Sequence, residues 1–247
     1  MTVNGQGVKK IDLQKMLNVN FDDMSVLPGH EEVMSDGRAI TVALRESNIA
    51  GNIPNRFAES RFPKMLNEQE NTLKQFSLKE VNDGAILLVG PTGTGKTTLS
   101  ICAMHERAIK GFSCGLYLSI RFLLPMLRTS RSFTARENEY ELLQKYSKTP
   151  FLVLDEIGTS TNIAEESEFL RTVIAGRYDN NLPTIFTTNL SPSNFKLLLL
   201  GKTRENFPNS EALNKFLEIS SGDPIVNRLK SIMTTVVLNG ESKRGIA

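Results

Sequence analysis

From residue 85 onward the chain alternates short, strand-like apolar runs with stretches whose apolar residues recur at helical spacing. The runs Ala85 to Val89, Cys114 to Leu118, Phe151 to Leu154, Thr184 to Thr188 and Thr235 to Leu238 predict five strands. Strands apolar throughout are covered on both faces, and strands separated by helices pair in parallel, so the expected fold class is α/β, a five-stranded parallel sheet flanked by helices. The helices expected between strands are Thr97 to Lys110 closed by Gly111, Glu137 to Lys148, Ile163 to Asp179 and Pro192 to Leu199. Asn162 and Ser191 stand where a side-chain oxygen satisfies the open N–H groups of a first turn. Pro125 interrupts the run from Phe122 to Arg128, so that helix either holds the proline in its first turn or is kinked. A polar linker from Gly201 to Asn209 and a helix from Ser210 to Ile219 precede the last strand.

The first 50 residues read differently. Five Lys/Arg stand against seven Asp/Glu, and Pro28-Gly29 and Asp36-Gly37 signal turns. Ile11, Leu13, Met16, Leu17, Val19, Phe21 and Met24 form a partly helical pattern that fits either packing on the main domain or presenting a face to another protein. Pro54 disfavours helix in the residue before it, so an extended junction is expected there. The predicted division is a small appendage over residues 1–50 and a main domain over 51–247.

Composition adds exclusions. Of 247 residues 40% are hydrophobic and 23% charged, and no apolar run approaches the roughly 18 residues that cross a bilayer. The opening MTVNGQGVKKIDLQKML has no secretory apolar stretch. Cys102 and Cys114, with His30 and His105, make neither a disulfide framework nor a zinc spacing, so a reducing, cytoplasmic setting without a membrane is expected. A net charge of +2 decides nothing about nucleic acid.

The chemistry starts directly after the first strand. Gly90, Pro91, Thr92, Gly93, Thr94, Gly95, Lys96 and Thr97 spell the G-x-x-x-x-G-K-[ST] pattern, with Thr98 continuing into a helix. Glycines allow a tight loop whose N–H groups turn inward on a polyphosphate, the helix adds its positive end, and the lysine reaches the outer phosphates. Thr97 is the expected magnesium ligand. The run Phe151 to Leu154 leads into Asp155 and Glu156, and a doubly covered strand must place such charges at its exposed carboxyl end, where ligands of parallel sheets gather. Asp155 suits support of Mg²⁺, and Glu156 suits activation of a water. Asn189, after Thr184 to Thr188, fits a contact to the γ-phosphate or the lytic water. The guanine-reading Asn-Lys-x-Asp set is missing, since Asn214-Lys-Phe-Leu217 lacks the aspartate, so ATP is the expected nucleotide.

With these elements in place, residues from about 50 to 245 resemble the DnaC/IstB-like branch of the AAA+ ATPases. The likeness rests further on Ile53 to Phe57 with Phe62, Asp155-Glu-Ile-Gly158, Thr188-Asn-Leu190, Asp223-Pro-Ile-Val-Asn-Arg-Leu229 and Gly240-Glu-Ser-Lys-Arg244. The resemblance implies that Arg228 is a finger acting in a neighbouring subunit's ATP site and that Arg244 contacts phosphate in its own. It also implies a homo-oligomer in the ATP state and, for residues 1–50, docking on a hexameric replicative DNA helicase. The chain departs from the pattern in its longer connection between Asn189 and Arg228, and in Lys243 where the family often has tyrosine.

Arg121, Arg128, Arg131 and Arg136 fall in an acid-free stretch with Phe122 and Phe133 interleaved. That composition fits a single-stranded DNA track, with arginines on phosphates and an aromatic on a base, and equally a solvated arginine face over core aromatics. The expected function is an ATPase that loads a replicative helicase onto single-stranded DNA, with hydrolysis as the release switch. The rivals are an IstB-like transposition regulator binding duplex DNA and an ATP-gated adaptor without turnover.

Overall fold

A computed structural model describes residues 57, 60–78, 84–110, 112, 115–132 and 137–239, with the backbone alone at 108 and 109. The expected 1–50 appendage, Gly111, Cys114, Phe133, Arg136 and Arg244 lie outside the described residues.

The order is α1 (Glu68–Ser77), β1 (Ala85–Val89), α2 (Lys96–Ile109), β2 (Leu116–Ser119), α3 (Ile120–Ser130), α4 (Glu139–Lys148), β3 (Leu152–Ile157), α5 (Ile163–Asp179), β4 (Thr184–Thr188), α6 (Pro192–Leu199), α7 (Ser210–Ile219), α8 (Pro224–Ile232) and β5 (Met233–Val237). All strands pair in parallel in the order β2-β3-β4-β1-β5. β1 therefore lies between β4 and β5, and β3 between β2 and β4.

Alternation along the strands sorts the core into two layers. Ala85, Leu87 and Val89 of β1 face a cluster with Leu123, Leu127, Leu142, Phe169, Phe195 and Leu229, which covers one side with α3, α4, α5, α6 and α8. Ile86 and Leu88 face Leu73, Phe76, Ile101 and Met104 of α1 and α2 on the other. Buried area on both faces is what holds a parallel sheet together. Arg177, buried at the end of α5, donates to the Tyr146, Thr149 and Pro183 carbonyls and to the Thr184 hydroxyl, pinning α4 and α5 beneath the start of β4. Burial pulls its pKa down to about 9.

Capping follows the sequence signals. Asn162 accepts from the Glu165 amide at 3.2 Å to start α5, Ser191 accepts from Asn194 at 3.2 Å to start α6, and Asn138 forms a reciprocal pair with Glu141 at α4. Of the two alternatives for Pro125 the first-turn one is excluded, because Ser119 caps the eleven-residue helix early, accepting from the Arg121 amide, and the proline falls in the second turn. Strand bounds also shift. β3 runs on to Ile157 instead of ending at Leu154, because a register irregularity between Leu154 and Ile157 lets the acidic residues stay in the strand. The helix Ser210–Ile219 is present as α7, is capped by Asn209, and has no fully buried residue; Phe207 rests on its Phe216 with ring centroids 4.9 Å apart.

Candidate active site

A cavity of about 490 Å³ opens at the carboxyl ends of β1, β3 and β4. Its wall includes the phosphate loop with Thr97 and Thr98, Asp155, Glu156, Thr187, Asn189, Arg121 and Phe57. The loop needs glycine at Gly93 and Gly95, whose φ angles of 91° and 96° lie in the left-handed region. Gly90 needs it for space, since a Cβ there would stand 2.6 Å from the Leu238 carbonyl. Lys96, 8% exposed, donates from Nζ to the Gly90 and Pro91 carbonyls at 2.6 and 2.7 Å, so its ammonium spans the loop at the start of α2.

The two acids at the tip of β3 are held by different means. Asp155 is 1% exposed and accepts from three hydroxyls: Thr97 at 3.0 and 3.1 Å, Tyr117 of β2 at 2.5 Å, and Thr187 of β4. Thr187 also accepts the Glu156 amide at 3.0 Å, so one side chain on β4 fixes both acids. Glu156 has φ of 61°, a left-handed conformation that costs a non-glycine residue about 1–3 kcal/mol and is retained where surroundings enforce it. Its Oε2 accepts from Ser119 at 3.0 Å and pairs with the Arg121 Nε at 3.2 Å. Thr159 closes the turn behind it, donating to the Glu156 carbonyl at 2.8 Å.

Asn189 lies across the loop from these acids and donates from Nδ2 to the Thr92 hydroxyl at 3.2 Å. The phosphate loop, both acids and Asn189, which the sequence singled out separately, thus share one cavity. Arg121, read from the sequence with the arginine track, is in that cavity against Glu156. Arg128 pairs with Glu165 of α5 at 2.8 Å, and Arg131 with Glu139 of α4 at 2.5 Å and Glu165 at 3.3 Å. The acid-free stretch therefore meets its acids from other elements. Phe122 is 58% exposed on the same helix. Arg228 is elsewhere: its guanidinium rests 5.2 Å from the Tyr178 ring centre and 3.4 Å from Asp179 at the last turn of α5. That turn leads into the amino end of β4, so Arg228 is at the end of the sheet opposite the cavity.

Sequence reasoning missed Tyr117, Ser119, Thr187 and Glu166. The first three are polar residues at or near the carboxyl ends of apolar strands, which is the signal that would have found them. Glu166, in the first turns of α5, is fully buried and accepts the Gly158 amide at 2.6 Å.

The donor set fits a nucleoside triphosphate with magnesium. Inward amides and a lysine suit phosphate oxygens, and the adjoining Thr97 hydroxyl and Asp155 carboxylate are hard oxygen ligands of the kind Mg²⁺ takes. Among the described residues no cluster of three His, Cys, Asp or Glu is arranged for a metal ion, so phosphate oxygens and water would complete the coordination. No described helix is long and apolar enough to cross a membrane.

The chain is 26% identical over 170 residues to the replicative helicase loader DnaI of Bacillus subtilis (strain 168), an alignment covering 68% of this chain and 50% of that protein. It is 27% identical over 118 residues to the replicative helicase loader DnaC of Escherichia coli (strain K12), covering 48% of this chain and 47% of that one. The aligned regions span about half the length of these curated relatives. Among solved structures, that of DnaI superposes with a TM-score of 0.55 at 19% identity, covering 76% of this chain and 95% of that one. The structure of the DnaC helicase loader gives 0.54 at 20% identity, covering 75% and 100%. At these identities the likeness is one of fold, that of a P-loop AAA+ domain. The family described as IstB-like ATP binding protein matches residues 14–203, and the chain belongs to that family.

Proposed function

We propose that the chain is an ATPase that loads a replicative DNA helicase onto single-stranded DNA, with hydrolysis as the switch that releases it. The observation that carries the ATPase part is the convergence of Lys96, Thr97, Asp155, Glu156 and Asn189 on one cavity. The loader part is drawn from the DnaI and DnaC relatives.

In this reading the loop from Gly90 to Thr98 and Lys96 grip the triphosphate, and Thr97 and Asp155 hold magnesium. The metal would neutralise charge on the phosphate oxygens. Glu156 takes a proton from the attacking water as its oxygen bonds to the γ-phosphorus, while the bond from that phosphorus to the bridging oxygen breaks and ADP departs. The Ser119 and Arg121 contacts both fall on Oε2, so Oε1 is the proton acceptor. Asn189 orients the γ-phosphate. A second cavity of about 300 Å³ shares Gly95 and Thr98 with the first and has room for the base. Cys102 in its wall is a packing residue, its thiol pushed up to about 12 by burial.

Arg228 completes the site of a neighbouring subunit, a role its distance from its own cavity favours, and Arg244 contacts phosphate in its own subunit. Residues 1–50 dock on the hexameric helicase. Arg121, Phe122, Arg128, Arg131, Phe133 and Arg136 line the DNA path. The test is magnesium-dependent phosphate release measured alone, with single-stranded DNA and with duplex, alongside co-purification with the helicase. Turnover with single-strand preference and helicase capture is expected. Binding without turnover would leave an ATP-gated adaptor, and duplex preference with no helicase capture would leave a transposition regulator. Mixing the Arg228→Ala and Lys96→Ala chains should restore part of the hydrolysis each lacks alone; no restoration would overturn the neighbour-subunit role.

A further inference from the structure

The turn after β3 is the piece of backbone on which the position of Glu156 depends, and it is held from behind. Two left-handed residues stand two apart, Glu156 at φ 61° and Gly158 at φ 84°. The Gly158 amide donates to Oε1 of Glu166 at 2.6 Å. On the other side a Cβ at Gly158 would stand 2.4 Å from the Leu190 side chain, next to Asn189. The turn is thus wedged between α5 and the loop that follows β4, and the two strand tips of the active site are registered through it.

Glu166 is an expensive residue for this place. It is 0% exposed, and its Oε2 makes no hydrogen bond of ordinary geometry among the described residues, the Ser160 amide acting on the carboxyl only at longer range. A buried, unsatisfied oxygen costs about 1–3 kcal/mol, and an apolar side chain of similar volume would avoid that cost. What the carboxyl supplies and an apolar residue cannot is an acceptor for the Gly158 N–H. Without that acceptor the cheapest relief is for the peptide to rotate toward another partner, and the rotation propagates two residues back to Glu156. Burial pushes the Glu166 carboxyl up from its ordinary range, with the Gly158 and Ser160 amides pulling the other way; the neutral acid still offers a carbonyl oxygen to the amide.

We infer that Glu166 is a positioning residue for hydrolysis: by accepting the Gly158 amide from within α5, it sets the turn that aims Glu156 at the attacking water. This rests on the reading of Glu156 as the base. The experiment compares wild type, Glu156→Gln, Glu166→Gln and Glu166→Asp for ATP dissociation constant, kcat and melting temperature. The amide of Glu166→Gln keeps the acceptor at full reach, whereas Glu166→Asp withdraws it by one methylene. The expected result is kcat within about twofold of wild type for Glu166→Gln and about tenfold lower for Glu166→Asp, with unchanged ATP affinity in both. Wild-type kcat in Glu166→Asp overturns the inference, as does an equal loss in both variants that tracks their melting temperatures. If Glu166→Asp does not fold, Glu166→Gln decides, and a tenfold loss of kcat there overturns it. If Glu156→Gln turns over like wild type, the base assignment itself fails, which the Glu166 arms alone cannot produce.

Discussion

Two adjacent acid pairs, Asp155-Glu156 at the tip of β3 and Glu165-Glu166 in the first turns of α5, are built on one plan with different outcomes. In each pair one member pairs with an arginine of α3: Glu156 with Arg121, Glu165 with Arg128 and also with Arg131 just past the helix end. In each the other member is buried to 1% or less. The buried members then diverge. Asp155 collects three hydroxyl donors, a set that fits the metal-holding role proposed for it. Glu166 collects the Gly158 amide and leaves an oxygen unsatisfied, the environment of a group held for its geometry. Sequence identity of the pair is no guide to its chemistry; the donors brought by neighbouring elements are.

The sharpest break of this comparison is Glu156→Gln, which keeps the Ser119 contact but cannot take a proton. Phosphate release should fall about 10²- to 10⁴-fold with ATP still bound, and undiminished release would make the two arginine-paired acids equivalent. Next is Tyr117→Phe, which removes one of the donors that distinguish Asp155. Magnesium affinity in the presence of ATP should weaken about tenfold, read by titration calorimetry; an unchanged affinity would mean that the hydroxyl set does not define this carboxylate. The mildest is Glu165→Gln. Its arginine partners are half exposed while its own side chain is 8% exposed, so the melting temperature should fall by the equivalent of about 1 kcal/mol, with unchanged turnover in the absence of DNA. Arg128 loses its acidic partner, so if α3 lines the DNA path the log–log salt dependence of single-strand binding should steepen by roughly one. No change in slope would remove Arg128 from that path.

Elements whose information is local were legible in the sequence. α5, α6, α7, β1 and β4 have the bounds that their apolar runs and caps announce, and Asn162, Ser191 and Asn209 cap as short polar residues before a helical run should. The phosphate loop and the acids of β3 were legible because that glycine spacing, and a pair of charges closing an apolar run, arise in few settings besides a ligand site at the edge of a parallel sheet. What the sequence hid depends on strand order. Tyr117 and Ser119 reach Asp155 and Glu156, and Thr187 reaches both, only because β2 and β4 flank β3. These contacts join residues more than thirty positions apart, for which periodicity carries no signal. The bulge that turns Glu156 left-handed was hidden for the same reason, since Thr187 on another strand stabilises it.

The placement of Arg228 at the amino ends of the strands, opposite the cavity, has a stoichiometric consequence. A contact that joins the top of one copy to the bottom of the next is head-to-tail, and such contacts close into a ring or continue as a helix. In an open array with the finger acting in trans, one terminal copy has a cavity that no finger reaches, and the copy at the other end has a finger with nothing to serve. Turnover per chain would then climb with concentration toward a plateau as the idle terminal cavity becomes a smaller share of the whole, whereas a closed ring would leave no idle site.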